Sequence, residues 1–364
     1  MFSSYLIAVG TVCGISAALA LLIIIADATI ANYGDCKIEI NEDKELLVEG
    51  GKPLLSSLKE EGIFIPSACG GRGSCGLCKC KVQSGGGDLL PTELPWLSKE
   101  ERAEQVRLSC QLKVKKDMSI SIPEELFKVK QFDVVVSELR DLTHDIKGVS
   151  LNLPEAMDFV AGQFIQVEIP PYELTDEAVY RAYSVASCPN ECNCIQLEVK
   201  LVPDGICTTY IHKYLKEGDQ LTINGPYGDF YLRPGDSEIL FIATGSGMAP
   251  IRAILQQMQS EGIERKARYF FGARYEKDLF LLDEMAMFEK ELYDFTFIPT
   301  LSRTDGGQWD GEKGRVTDLC ERYVESVENL EVYLCGAPVV IDSCVALLKK
   351  KGLSEDKIFY DKFS

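Results

Sequence analysis

The chain has 364 residues, enough for two or three domains of ordinary size, and 46% of them are apolar, which excludes a disordered or fibrous protein. Its 38 Lys and Arg stand against 56 Asp and Glu, a net charge of −18, which excludes a nucleic-acid binder that works by displacing phosphate counterions. With only two histidines, His144 and His212, a multi-histidine metal centre or a Rieske cluster is nearly excluded by supply, though a single one could serve as a base. The acidic excess lies beyond residue 130, so a domain boundary is predicted there.

No charged side chain precedes Asp27, and residues 5–26 are almost wholly apolar. At ~1.5 Å per residue such a helix spans about 33 Å, enough for the ~30 Å hydrocarbon core. A cleaved signal peptide is the rival reading, since Ala26-Asp27-Ala28 imitates a cleavage site. Against it, the segment lacks a basic start and outruns the usual apolar stretch of roughly 7–15 residues. Lysines occur only after the segment, from Lys37 onward, which favours a cytoplasmic body. Gly10, Gly14 and Ala18 put small side chains on one helix face, where another membrane helix can approach; small residues are also common in any such helix. Cys13 reads as an apolar residue at lipid depth.

Fourteen cysteines are too few for a disulfide scaffold of this length. Four of them form a pattern: Cys69-Gly-Gly-Arg-Gly-Ser-Cys75-Gly-Leu-Cys78, then Cys110. A [2Fe–2S] cluster needs four thiolates, and three can come from one loop wrapped around it. Gly70, Gly71, Gly73 and Gly76 let the backbone take positive φ and bring its amides close to sulfur. Zinc is the structural alternative, but zinc sites seldom use so glycine-rich a loop. Cys80 follows on a strand as a spare thiol. Alternation predicts strands at 37–40, 45–48, 79–82 and 119–122, a helix at 53–61 and a turn cluster at 84–88.

Beyond residue 130, short strands are predicted at 132–136, 162–169, 182–186, 195–202 and 220–223, which suggests an antiparallel barrel. Within it, Arg181-Ala182-Tyr183-Ser184 places a cation and a ring on one side of a strand and a hydroxyl on the other. A flavin nucleotide asks for those groups, although the same pattern describes any half-buried strand. Gly205-Ile206-Cys207-Thr208 opens a helix to residue 215, whose N-terminus suits a pyrophosphate or is simply capped by threonine.

From residue 238 strands and helices alternate: strands at 238–243, 267–271, 295–300 and 332–334, helices at 251–259, 283–292, 316–324 and 339–350. That is a doubly wound α/β domain, whose ligands sit at the carboxyl ends of the strands. Gly245-Ser246-Gly247-Met248-Ala249-Pro250 forms the first turn, short of the full dinucleotide fingerprint. Cys335-Gly336 forms a second turn at the same edge.

In this order the motifs resemble the family of NADH-oxidising F subunits of Na+-translocating NADH:quinone oxidoreductases, over nearly the whole chain. Further echoes are Ser67-Ala-Cys69, the run from Ser84 to Leu94, Gly272-Ala-Arg274 and the tail from Phe359 to Phe363. The resemblance implies a multidomain α+β and α/β chain. It comprises a transmembrane anchor and linker (1–34), a β-grasp [2Fe–2S] ferredoxin domain (35–127), an antiparallel β-barrel FAD domain (128–235) and a doubly wound NADH domain (236–364).

It also implies ligation of the cluster by Cys69, Cys75, Cys78 and Cys110. FAD would be held by Arg181, Ala182, Tyr183, Ser184, Val199, Lys200 and Gly205 to Thr208, with Ser184 at the flavin N5 edge and Phe363 over the ring. NADH would lie on Gly245 to Pro250, with Cys335 and Gly336 near the nicotinamide and Arg274 near the adenosine. The implied activity is hydride transfer from NADH to FAD, then single electrons through the cluster to integral membrane subunits and on to quinone. Na+ movement would belong to those other subunits, and the body would face the cytoplasm from a single-pass anchor in a bacterial inner membrane.

Three features depart from that family. The stretch between Pro170 and Arg181 is short. Cys188, Cys192 and Cys194 form a cluster that reads either as free thiols or as an extra metal or redox site. Ser302-Arg303 suits a 2′-phosphate, which leaves NADPH beside the favoured NADH. The rival function is an NAD(P)H-dependent reductase feeding an oxygenase or another soluble acceptor, which would not require residues 1–26. A third reading is a non-catalytic carrier with vestigial nucleotide sites.

Overall fold

The computed structural model describes residues 2–30, 33–191, 193–303 and 309–363. They form two compact units: residues up to Ile65 with Gly71–Lys128, and Pro66–Gly70 with Val129–Ser364. Helix α1 is a single run of 29 residues, Phe2–Ile30. Side chains along it are described for positions 9–22 and 24. Among the described residues no helix is long and apolar enough to cross a membrane.

The smaller unit is the expected β-grasp. Strands β1 (Asp35–Ile40) and β2 (Lys44–Glu49) form a hairpin, followed by helix α2 (Leu54–Glu60) and strand β3 (Lys79–Ser84). Helix α3 (Lys99–Ala103), β4 (Val106–Leu108) and β5 (Met118–Ser121) complete it, with sheet order β2-β1-β5-β3-β4. Only the β1–β5 pairing is parallel. Alternation along β1 buries Cys36, Ile38 and Ile40 against Leu54 and Leu58 of α2, so period 2 meets period 3.6 at one core. Three residues are too few for periodicity to reveal β4.

In the larger unit come β6 (Lys130–Asp141), β7 (Ile146–Asn152), β8 (Phe164–Ile169), β9 (Val179–Ser184), β10 (Cys194–Lys200), α4 (Ile206–Lys213) and β11 (Gln220–Tyr227). They form one antiparallel sheet of order β10-β7-β6-β11-β8-β9. A bridge from Val185 to Leu197 joins the two edges and closes the barrel. The strand carrying Arg181 begins at Val179, earlier than the predicted 182, because its pairing with β8 runs to Ile169. β7 was hidden by Gly148, which interrupts its alternation.

A parallel sheet follows, built from β12 (Glu238–Thr244), α5 (Met248–Glu261), β13 (Ala267–Ala273), α6 (Leu282–Glu291), β14 (Phe295–Leu301), β15 (Glu312–Lys313), α7 (Val316–Tyr323), β16 (Leu330–Gly336), α8 (Pro338–Lys350) and β17 (Ile358–Lys362). Its order is β15-β14-β13-β12-β16-β17, every pairing parallel. Apolar layers cover both faces, which explains why these strands read as continuous apolar runs. The chain winds outward from β12 to β15 and then jumps to β16 on the other side. The switch point therefore lies between the ends of β12 and β16, where an open α/β sheet forms its ligand crevice.

Candidate functional site

In the smaller unit, the loop between α2 and β3 is shaped for sulfur ligation. Gly73 and Gly76 have φ of 73° and 70°, and a Cβ on Gly76 would lie 2.9 Å from the ring of Trp96. The loop can follow this path only with glycine at these positions. Cys78 and Cys110 are buried, Cys75 is half-buried, and Cys69 is buried in the segment counted with the larger unit. The Cys78 and Cys110 thiols meet in a hydrogen bond, which, followed by burial, pushes the Cys78 thiol well up. Gln111 Nε2 donates to Cys110 Sγ at 3.6 Å. Among the described residues, no three His, Cys, Asp or Glu side chains converge on a single ion. A two-iron cluster does not require that, since each iron takes two thiolates, and the adjoining thiols of Cys78 and Cys110 fit one such pair.

Sequence reasoning missed what holds the run from Ser84 to Leu94 in place. Arg107 Nη2 pairs with Glu93 Oε2 at 2.7 Å with both side chains buried; Nη1 donates to the carbonyls of Gly86 and Gly87, and Nη2 also to that of Asp88. Burial alone would raise the Glu93 carboxyl. Hydrogen bonds from Arg107 and from the Leu90 and Leu108 amides outweigh it and hold the pKa below the usual range. The signal was present as two charged residues in otherwise apolar flanks, but nothing in the sequence paired them.

In the barrel, Val179, Arg181 and Tyr183 lie opposite Ile169, Val167 and Ile165 on the core side of β9, while Ser184 lies opposite Phe164 on the other. The Tyr183 hydroxyl is buried without a hydrogen-bond partner. So is Gln166 Nε2, opposite Ala182 on the second face. Leaving such groups unpaired costs about 1–3 kcal/mol each, so both faces of this strand fit a polar ligand such as a flavin nucleotide. Gly205 is the N-cap of α4, and Thr208 Oγ1 accepts from the Val202 amide at 3.1 Å. The hydroxyl fastens the preceding loop at a helix N-terminus, the end of a helix that suits phosphate. Cys207 is buried, as is Val199; Lys200 is half-buried at the strand end.

At the switch point, the turn after β12 and the turn after β16 are pressed together. A Cβ on Gly247 would lie 2.3 Å from the Cys335 carbonyl oxygen, so only glycine is tolerated there. α5 begins at Met248, three residues earlier than predicted. Met248, Ala249 and Pro250 bury their side chains in the core, and Pro250 fits the first turn, where its missing amide has no intrahelical partner. What this turn offers a ligand is main chain. Cys335 ends next to Gly336, whose carbonyl accepts from the Phe363 amide at 2.9 Å. Cys335 pairs with Asp361 across β16 and β17. Burial, then Asp361, pushes the Cys335 thiol well up; burial, then Asp229, pushes the Asp361 carboxyl up to about 6.

Arg274 lies 3.8 Å from Asp145 and from Asp278. The Arg303 amide donates to the Arg274 carbonyl, and Ser302 Oγ donates to the Ala273 carbonyl. Cys188 sits 3.7 Å from Ser260 Oγ, Cys194 opens β10, and Cys192 lies outside the described residues. None of the thirteen described cysteines is in a disulfide.

One buried carboxyl lies where the barrel meets the parallel-sheet domain, beside Arg252, which bonds across that boundary. Both oxygens of Glu198 on β10 lack a partner, because Arg252 of α5 donates instead to Glu284, Gln196 and the Ala186 carbonyl. Burial pushes the Glu198 carboxyl up to about 8, with Arg252 opposing. The folded state therefore binds this proton more tightly than the unfolded chain, and stability falls as pH rises from the ordinary carboxylate range toward 8. Glu198→Gln is expected to remove that loss. Denaturant unfolding should find the variant's advantage growing by about 2–4 kcal/mol between pH 5 and pH 8; a constant difference would contradict the assignment.

Three domain families match the chain: a 2Fe-2S iron-sulfur cluster binding domain over residues 38–115, an oxidoreductase FAD-binding domain over 133–231 and an oxidoreductase NAD-binding domain over 241–346. Among solved structures, an Amycolatopsis cytochrome P450 reductase superposes with a TM-score of 0.75 at 28% identity, covering 90% of this chain and 98% of that one. The ferredoxin reductase in carbazole 1,9a-dioxygenase gives 0.71 at 26% identity, covering 91% and 98%. Curated relatives go further. The F subunit of the Na(+)-translocating NADH-quinone reductase of Neisseria meningitidis is 38% identical over 95% of this chain and 96% of its own length. Its counterpart in Mannheimia succiniciproducens is 37% identical over the full length of both. Similarity at that level, end to end, settles the kinship that the three shaped sites suggested: the chain belongs to the family of F subunits of the Na(+)-translocating NADH-quinone reductases.

Proposed function

We propose that this chain is the electron-input subunit of a membrane respiratory complex. It oxidises NADH at FAD and sends single electrons through a [2Fe–2S] cluster to integral membrane subunits and on to quinone, ubiquinone among the acceptors of this class, with Na+ translocation in other subunits. The observation that carries this reading is the presence of three cofactor-shaped sites in one chain whose relatives match it throughout. When bound, the flavin accepts a hydride and releases electrons singly, which joins a two-electron donor to a one-electron cluster.

The chain's own residues orient and enclose. Arg181 supplies a cation to flavin phosphate, Tyr183 and Ser184 supply hydroxyls on opposite faces of β9, and the α4 amides complete the cradle with the strand main chain at Val199 and Lys200, the Lys200 ammonium lying outside it. The glycine turns at Gly245 to Gly247 and at Gly336 bring main chain to the nicotinamide dinucleotide, Phe363 covers the flavin face, and Arg274 sits toward the adenosine. Asp361, its carboxyl pushed up to about 6 by burial and then by Asp229, pairs with Cys335 across β16 and β17. Cys69, Cys75, Cys78 and Cys110 hold the cluster. The functional divisions are residues 1–34, 35–127, 128–235 and 236–364.

We assign α1 to anchoring. Its 29 residues extend about 43 Å, more than the ~30 Å core, and in the sequence residues 5–26 are almost wholly apolar. The body then faces the cytoplasm of a bacterial cell. The likeness to oxygenase-linked reductases supports one rival, a soluble-acceptor reductase. Deletion of residues 1–34 distinguishes them: the anchored reading expects electron delivery to membranes to fall while NADH-to-flavin transfer persists.

Anaerobic titration tests the chemistry. NADH is expected to bleach flavin and cluster absorbance together at near-stoichiometric amounts, and NADPH to require at least about tenfold more, a difference of ~1.4 kcal/mol. A flavin that NADH leaves oxidised would overturn the reading.

A further inference from the structure

Asp145 lies in the turn between β6 and β7, outside every motif discussed above, yet its carboxylate is fixed with unusual care. Thr143 Oγ1 donates to Asp145 Oδ1 at 3.0 Å, and the same hydroxyl accepts from the Asp145 and Ile146 amides. The Leu201 amide donates to the Asp145 carbonyl at 2.7 Å, tying the turn to the end of β10. With Oδ1 held, Oδ2 faces two cations from different parts of the larger unit. Lys200 Nζ of the barrel is 3.7 Å away, and Arg274 Nη2 beyond β13 is 3.8 Å away.

Both cations border the dinucleotide cleft. Lys200 Nζ comes within 3.4 Å of where a Cβ on Gly245 would stand, directly over the turn that opens α5. Neither ion pair is within hydrogen-bond distance, and both cations are substantially exposed. Pairs of this kind contribute little and exchange easily. The carboxylate itself is only 18% exposed and anchored by its own turn, so the mobile members are the cations.

We propose that Asp145 is a built-in counter-ion for the dinucleotide cleft, a stand-in for pyrophosphate that neutralises Lys200 and Arg274 until the nicotinamide dinucleotide arrives and competes for them. This rests on the reading of the cleft as a dinucleotide site. Asp145 is a positioning residue: it keeps both cations aimed at the turn and weakens binding of the oxidised product, which must leave before another NADH can enter. The nicotinamide dinucleotide is the competitor rather than the flavin one, because Arg274 belongs to the parallel-sheet domain and Lys200 overhangs its first glycine turn.

The test uses the full-length, FAD-loaded chain titrated with NAD+, which cannot reduce the flavin, following the flavin absorbance perturbation. Asp145→Asn keeps the hydrogen bond from Thr143 and removes the charge; Asp145→Ser is the second uncharged variant. Both are expected to bind NAD+ about three- to tenfold more tightly than the parent, with a steeper loss of affinity as salt rises. Their affinity for FAD, measured by reconstitution of the stripped protein, is expected to be unchanged. Unaltered or weaker NAD+ binding by both folded variants overturns the counter-ion role. Tighter FAD binding with unaltered NAD+ binding also overturns it, by placing the competing pyrophosphate on the flavin. If the parent itself fails to bind NAD+, the reading of the cleft falls first, and the counter-ion role falls with it.

Discussion

Cys75→Ser is expected to abolish the iron–sulfur absorbance and electron output while leaving the bleaching of flavin by NADH intact. Each iron of a [2Fe–2S] centre needs two thiolates, and a serine hydroxyl is a poor substitute for a soft, anionic sulfur. Cys75 makes the cleaner test than Cys78, because it is half-buried and its replacement opens no core cavity. Turnover with an acceptor that draws on the cluster should fall by at least about a thousandfold, ~4 kcal/mol in barrier terms, while hydride transfer at the flavin changes little. Iron content, the visible spectrum and stopped-flow flavin reduction together decide it. Simultaneous loss of both signals would mean that the two centres are not separate.

The second large effect concerns stability. Arg107→Met leaves Glu93 buried, charged and short of its main partner, and breaking a buried pair in this way costs about 3–5 kcal/mol. Its nitrogens also fasten the carbonyls of three consecutive loop residues, so the run from Gly86 to Asp88 should loosen as well. Thermal melting of the smaller unit should drop steeply. The double variant Arg107→Met with Glu93→Gln should recover part of the loss, since the uncompensated charge is gone. The sign of the pH effect is also set. Because the Glu93 pKa is depressed in the folded state, the parent holds the pair's contribution above the ordinary carboxylate range and loses it as pH falls through the lowered value. An Arg107→Met protein that melts like its parent would show that the pair merely fills space.

Much of the site was legible because cofactor chemistry is local in sequence. Three of the thiols assigned to the cluster and their glycines occupy ten consecutive positions, and the strand motif assigned to flavin and the glycine turn after β12 are equally compact. Where the reading erred, the cause was a boundary or a long-range partner. α5 starts at Met248 rather than Ile251 because a proline in the first helical turn is no obstacle. β7 escaped because its pairing with β6 and β10 overrides the glycine in its middle. The tail from Phe359 to Phe363 read as a motif, but Ile358–Lys362 is a strand, fixed only by lying beside β16.

By itself, then, the amino-acid order determined the kinds of chemistry available, the succession of folding units and an apolar N-terminal helix, since composition, periodicity and short motifs depend on near neighbours. Tertiary structure decided which distant charges meet. Glu93 finds Arg107 across a loop, Glu198 is stranded while Arg252 turns to other partners, and Asp145 faces cations from two different parts of the fold. Burial and pairing across such separations depend on where the chain returns to itself, and no local pattern encodes that return.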